Sequence, residues 1–255
     1  MPNVKHMSDN LRQILGVRFY IGDLKGLLDR TMSGGLIVVP SAPVLVELQD
    51  NPAQREALER SDLAITDSGF MVLLWLLLKR ERLPRISGLR YLRALLDRPE
   101  FRQSGATFWI MPSAADATAN REWLNRQGLE VGPDDCYMAP IYPPGRLEDP
   151  VLLALIEARR PAFVVINLGG GVQERLGYRL RTRLDYHPAI ICTGAAIAFL
   201  SGRQANIPSW ADRLFLGWLV RSLRDPVKFV PRYRKAFCLA YLLRKYGAGT
   251  TAEKK

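Results

Sequence analysis

The stretch LAITDSGFMVLLWLLL, Leu63–Leu78, decides how the rest of the chain is read. Leu63, Ala64 and Ile65 form a short apolar run that stops at Thr66–Asp67–Ser68–Gly69. An apolar block follows and ends at Lys79–Arg80. That is the pattern of a buried strand, a tight polar turn and a helix packed back on the sheet. In open α/β sheets ligands sit at the carboxyl ends of strands beside helix N-termini, so the Asp67 carboxylate stands where chemistry is usually done. Asp67 reads equally as a plain cap of the following helix, because Asp is among the commonest cap residues.

The same alternation extends in both directions. Upstream, residues 1–15 read as a loose leader. Val17–Tyr20 is a short apolar run, and Asp23–Met32 reads as a helix with Leu24, Leu27 and Leu28 on one face. Leu36–Val39 is a β-branched strand stopped by Pro40; helices follow from Ser41 to about Asp50 and over Pro52–Arg60. Downstream, an amphipathic helix over Leu89–Leu96 precedes the strand Thr107–Met111 and a helix from Ala114 to Arg126, with Gly128 as its stop. Val131–Pro144 is turn-rich. The helix Leu152–Arg159 leads to the most apolar strand, Phe163–Leu168, which breaks at Gly169–Gly170–Gly171 before another helix. Ala189–Cys192 is a last strand, ending at Thr193–Gly194, and the helix Ala195–Leu200 stops at Gly202. Strands alternating with helices at this spacing predict an α/β fold: a mainly parallel, Rossmann-like sheet with helices on both faces.

A chain of 255 residues, 48% hydrophobic, is long enough to bury a full core. Cys136, Cys192 and Cys238 are scattered and show no CxxC spacing, and only His6 and His187 are present. Neither a disulfide framework nor a zinc site is expected, and the compartment reads as reducing and cytoplasmic. The longest apolar run, Phe70–Leu78, is well short of the ~20 residues a spanning helix needs. Net charge is +11, and residues 201–255 hold 12 Lys/Arg against 3 Asp/Glu, so nearly all the excess lies in the last fifth. Ile207–Pro208 marks the expected boundary between an α/β domain, residues 1–206, and a basic helical appendage, residues 207–255. Within the appendage, Trp210–Leu223 and Lys228–Lys245 interleave aromatics with arginines and lysines. That pattern suits a surface resting on anionic lipid and equally a helical pair docked on the sheet with a solvated basic face.

Gly169–Gly170–Gly171 after a buried strand lets backbone N–H groups approach an anion at a helix start, and reads equally as a plain tight turn. It matches neither a GxGxxG fingerprint nor a Walker loop. Gln173 and Glu174, one turn on, reach toward a sugar or base, or else face solvent. Thr193–Gly194 ends the next strand. Three strand ends, near Asp67, Gly169 and Thr193, would then ring one crevice.

These residues, in this order from about Asn51 to Tyr233, resemble the WecG/TagA/CpsF family of bacterial glycosyltransferases. The matching run is Asn51–Pro52, Arg55–Glu56–Ala57–Leu58, Asp62–Leu63, Asp67–Ser68–Gly69, Arg85, Gly88, Leu168–Gly169–Gly170 and Gln173–Glu174. It continues through Gly194–Ala195–Ala196, Phe199–Leu200–Ser201–Gly202, Pro208–Ser209–Trp210, Gly217–Trp218–Leu219, Asp225–Pro226 and Arg232–Tyr233. The resemblance implies inverting transfer of a hexose from a UDP-sugar to a polyprenyl-diphosphate-linked saccharide in cell-surface or exopolysaccharide biosynthesis. It implies no metal and no cofactor, and a peripheral location on the inner face of the cell membrane. Asp67 falls on the family's general base, which takes the acceptor hydroxyl's proton. Ser41, Gly169, Gly170, Gln173, Glu174, Thr193 and Gly194 fall around the donor. Without a metal the leaving diphosphate needs cations, and Arg221, Arg224, Lys228 and Arg232 supply them.

The chain departs from the family pattern at several places. Ser41 stands where members have Asn; Gly170–Gly171–Val172 replaces Ala-Pro-Lys; acids are missing near Arg90 and at Ala198 and Gly217. These changes point to a donor other than N-acetylmannosamine, with glucose the second expectation. The alternative function is a non-catalytic nucleotide-sugar binder of the same fold. A nucleic-acid binder is disfavoured because no recognition motif accompanies the basic tail, and a homo-oligomer is left open.

Overall fold

The computed structural model describes residues 10–145, 147–203 and 237–252. The elements run β1 (Leu11–Ile14), β2 (Val17–Tyr20), α1 (Leu24–Thr31), β3 (Gly35–Val38), α2 (Ala42–Val46), α3 (Pro52–Glu59), β4 (Leu63–Ile65), α4 (Gly69–Lys79) and α5 (Gly88–Leu96). They continue β5 (Thr107–Met111), α6 (Ala114–Arg126), β6 (Cys136–Met138), α7 (Pro150–Arg159), β7 (Phe163–Ile166), α8 (Val172–Arg183), β8 (Ala189–Cys192), α9 (Ala196–Leu200) and α10 (Cys238–Tyr246). The strands make one 8-stranded sheet in the order β1-β2-β4-β3-β8-β7-β5-β6. Every pairing is parallel except β1 with β2. The fold is therefore the α/β Rossmann-like arrangement that the alternating pattern predicts.

The central strands are apolar at every position because both faces are covered. Leu36, Val38, Val164, Ile166, Ile190 and Cys192 point into one core with α2, α3, α4, α7 and α8. Their neighbours Ile37, Val165 and Ile191 point into the other, with α1, α5, α6 and α9. Successive strand residues alternate between the two cores, as the period-2 geometry of a strand requires.

Three features differ from the sequence-based expectation. The segment read as a leader contains β1, which folds back on β2 through Leu15 and Gly16, both at positive φ (52° and 82°). A two-residue hairpin turn needs that backbone, but Leu at its first position hides the usual Asn-Gly signal. The turn-rich stretch contains the edge strand β6, a short one that pairs with β5 alone. The helix expected to reach Asp50 stops at Val46.

α10 buries Leu239, Leu242 and Leu243 completely and packs on α2 and α4. Residues beyond it pair with the first hairpin, Leu15 N–H to the Gly247 carbonyl at 2.9 Å and Gly16 N–H to the Ala248 carbonyl at 3.1 Å. This part of the basic segment docks on the body. The expected helix at Trp210–Leu223, with Arg221, Arg224, Lys228 and Arg232, lies outside the described residues.

Candidate active site

The strands that carry Asp67, Ser41, Thr193 and Gly169 are β4, β3, β8 and β7, four neighbours in the sheet that all run the same way. Their carboxyl ends therefore share one rim. The chain leaves β3 and β7 toward one face, into α2 and α8, and leaves β8 toward the other, into α9. Diverging connections open a crevice at a topological switch point, the usual ligand site of such sheets.

Asp67 is not the cap of the helix that follows it. Ser68 is, accepting from the Met71 N–H at 3.3 Å. Asp67 Oδ1 instead accepts from the N–H of Gly88, the first residue of α5, at 2.9 Å. A carboxylate at a helix start is favoured by the positive end of the helix dipole. Its Oδ2 takes no hydrogen bond among the described residues, and the side chain is only half-buried. The connection from α4 to α5 is folded over this strand end: Thr66 Oγ1 donates to the Pro84 carbonyl at 2.5 Å, and Arg85 Nε to the Asp67 carbonyl at 2.7 Å. One oxygen is held and the other is left for a ligand, the arrangement a positioned proton acceptor needs.

The glycine turn after β7 is closed. Gly171 sits at φ +92°, and its N–H donates to Glu174 Oε2 at 2.6 Å; the Val172 and Gln173 N–H groups both reach the Gly169 carbonyl at 3.2 Å. The Gly171, Val172 and Gln173 N–H groups are thus spent within the turn. Glu174 is fully buried, and burial raises its pKa against the opposing pull of its hydrogen bonds. Gly169 and Gly170 remain exposed, and a Cβ on Gly169 would meet nothing within 4 Å.

Around the rim, several buried polar atoms lack partners. Ser41 stands at the cap position of α2 without a cap hydrogen bond, because Pro43 removes one of the N–H groups a cap would take. Its Oγ is buried and unpaired, as are Thr193 Oγ1, Gln173 Oε1 and Asn167 Oδ1. Unpaired buried polar atoms are rare and costly, so a cluster of them at a strand-end crevice marks a place for a polar ligand.

Sequence reasoning missed Asn167, Arg85 as a partner of Asp67, and Gln54. Gln54, fully buried on α3, occupies the position where a capping-box side chain would reach back to the Asn51 N–H. That N–H already donates to the Glu47 carbonyl at 2.9 Å. The Gln54 amide lies beside the Glu174 carboxyl, near enough to favour its ionised form, but neither of its polar atoms meets hydrogen-bond geometry. Asn167 carried a usable signal, a lone amide closing an apolar strand. Gln54 carried none. Among the described residues no group of three or more His, Cys, Asp or Glu is placed to hold a metal ion, and no helix is long and apolar enough to cross a membrane.

An N-acetylglucosaminyldiphosphoundecaprenol N-acetyl-beta-D-mannosaminyltransferase of Bacillus spizizenii is 24% identical over 207 residues, covering 78% of this chain and 77% of that protein. Residues 12–252, spanning every strand but the first residue of β1, match the family described as Glycosyl transferase WecG/TagA/CpsF, and the chain belongs to that family.

Proposed function

We propose that the protein is an inverting, metal-independent glycosyltransferase that moves a hexose from a UDP-sugar to a polyprenyl-diphosphate-linked saccharide, with Asp67 as general base. The observation that carries this reading is Asp67 itself: released from capping its own helix, fixed through one oxygen by the Gly88 N–H, and open at the other. A base so held abstracts the acceptor hydroxyl's proton as that oxygen attacks the anomeric carbon, and UDP leaves with the bonding electrons. The donor sits over the ends of β3, β7 and β8, against Ser41, Gly169, Gly170, Gln173, Thr193 and Gly194, with Glu174 buried behind Gln173. With three N–H groups of the glycine turn engaged internally, the diphosphate falls chiefly to Arg221, Arg224, Lys228 and Arg232. Residues 207–236 act as a basic cover that also rests on the inner membrane face, where a lipid-linked acceptor is found. The Bacillus relative, an N-acetylglucosaminyldiphosphoundecaprenol N-acetyl-beta-D-mannosaminyltransferase, supports such an acceptor. Ser41 in place of Asn supports a donor other than N-acetylmannosamine, with UDP-glucose the next choice.

The test is UDP release from a panel of UDP-sugars with a synthetic polyprenyl-diphosphate-sugar acceptor, for wild type and Asp67→Asn. Turnover with one donor, lowered about 10²–10⁴-fold in the variant, is expected. Undiminished turnover in the variant would remove Asp67 from the mechanism. Binding of UDP-sugar with no transfer at all favours a non-catalytic sugar-nucleotide binder, the reading that the missing family acids support.

A further inference from the structure

We infer that Glu174 is a positioning residue that fixes the Gln173 amide so that its carbonyl oxygen faces the ligand. The ligand group read there is then a neutral hydrogen-bond donor. The nature of the ligand rests on the proposed function; the orientation rests on the local hydrogen bonds.

Both Glu174 oxygens are accepting, Oε2 from the Gly171 N–H at 2.6 Å and Oε1 from Gln173 Nε2 at 3.1 Å. With both carboxyl oxygens accepting, the edge of the Gln173 amide that faces them is the NH2, and the C=O points the other way. That oxygen is buried without a partner in a side chain only 3% exposed. The Gln173 amide lies beside the end of β8. A Cβ built on Gly194 would lie 3.5 Å from Gln173 Nε2 and 3.6 Å from Oε1, an ordinary van der Waals contact, and it is the φ of +58° that favours glycine there. Asn167 repeats the arrangement just past the end of β7. Its Nδ2 is spent on the Ile110 and Val165 carbonyls, both at 3.3 Å, and its Oδ1 is left over. Two side-chain amides have their NH2 groups tied internally and their oxygens unpaired, which makes this part of the crevice an acceptor surface. Hydroxyl groups of a hexose or ribose and the N3–H of uracil share the required chemistry.

Three variants test the inference, read by KM for the preferred UDP-sugar, Kd for that sugar nucleotide and for UDP, and melting temperature. In Glu174→Gln the new amide keeps an oxygen on the Gly171 N–H and turns its NH2 to residue 173. Gln173 must then flip and present NH2 to the ligand, and the lost pairing raises KM and Kd about tenfold or more. In Glu174→Gln combined with Gln173→Glu, residue 173 again presents an oxygen, and affinity recovers relative to the single variant. Gln173→Met removes the acceptor without touching the turn and is expected to weaken binding as Glu174→Gln does. Weakening confined to the sugar nucleotide places the read group on the sugar; weakening shared with UDP places it on the nucleotide. Unchanged affinity in both Glu174→Gln and Gln173→Met overturns the inference. So does failure of the exchanged pair to recover in a protein that melts like wild type, because a merely structural Glu174 would give that result. Wild type that binds neither UDP nor any UDP-sugar overturns the proposed function instead.

Discussion

At the scale of single residues, the carboxylates Asp67 and Glu174 have opposite surroundings. Asp67 is half-buried with one oxygen open; Glu174 is fully buried with both oxygens occupied. Asp67→Asn retains an oxygen for the Gly88 N–H, so its melting temperature should stay near wild type while turnover collapses. Asp67→Ala leaves that N–H without its acceptor and should also lose about 1–3 kcal/mol of stability. For Glu174 the sign of the pH effect follows from burial. Its pKa is raised on folding, so the folded state holds the proton more tightly than the unfolded one, and stability falls as pH rises through the raised value. Urea melts of wild type at increasing pH above about 4.5 should show that decline, and Glu174→Gln should lack this component of it. Parallel pH profiles for the two proteins would contradict the assignment.

At the scale of elements, the helix that carries Gln173 and Glu174 is set on the sheet through a glycine. A Cβ at Gly177 on α8 would come within 2.7 Å of Leu36 Cδ1 on β3 and 2.9 Å of Cys192 Sγ on β8. Alanine normally improves a helix interior by about 1 kcal/mol over glycine. Here overpacking in a filled core costs about 1–3 kcal/mol. Gly177→Ala should therefore lower the melting temperature and, by lifting the start of α8, weaken donor binding; a stabilised variant would show that the gap is slack. The C-terminal helix behaves as a core element. Leu242→Ala on α10 removes a fully buried side chain and should cost about 2–5 kcal/mol, a loss that chemical denaturation would register.

At the scale of the whole molecule, charge and fold are separated along the chain. The first 200 residues hold 24 Lys/Arg against 22 Asp/Glu, and the last 55 hold the remaining +9 of the +11 total. If residues 207–236 rest on anionic lipid, full-length protein should co-sediment with phosphatidylglycerol vesicles and release as salt rises past about 0.5 M, where the Debye length falls to a few ångströms. Replacing Arg221, Arg224, Lys228 and Arg232 by Glu should abolish both the co-sedimentation and turnover. Equal retention on phosphatidylcholine, or preference for DNA, would reject a lipid role for this charge.

The sequence by itself determined the α/β layering and the sheet's parallel character. Apolar strands such as Phe163–Ile166 and Ala189–Cys192, broken by glycine and followed by helical patterns, admit few other folds, because a strand apolar at every position must be covered on both faces. It also located Asp67, Thr193 and Gly169 at strand ends, since the polar turn after an apolar run is a local signal. Strand order is not local, and only the tertiary structure made β4, β3, β8 and β7 neighbours. Nor does sequence reveal where a hydrogen bond goes. That Ser68 rather than Asp67 caps α4, that Glu174 shuts the glycine turn, that Gln54 lies beside Glu174 and that Asn167 is tied to Ile110 depend on neighbours distant in the chain or on backbone already committed elsewhere. Period and composition report what is buried; only three-dimensional packing decides which buried polar atoms are left over, and those atoms define the site.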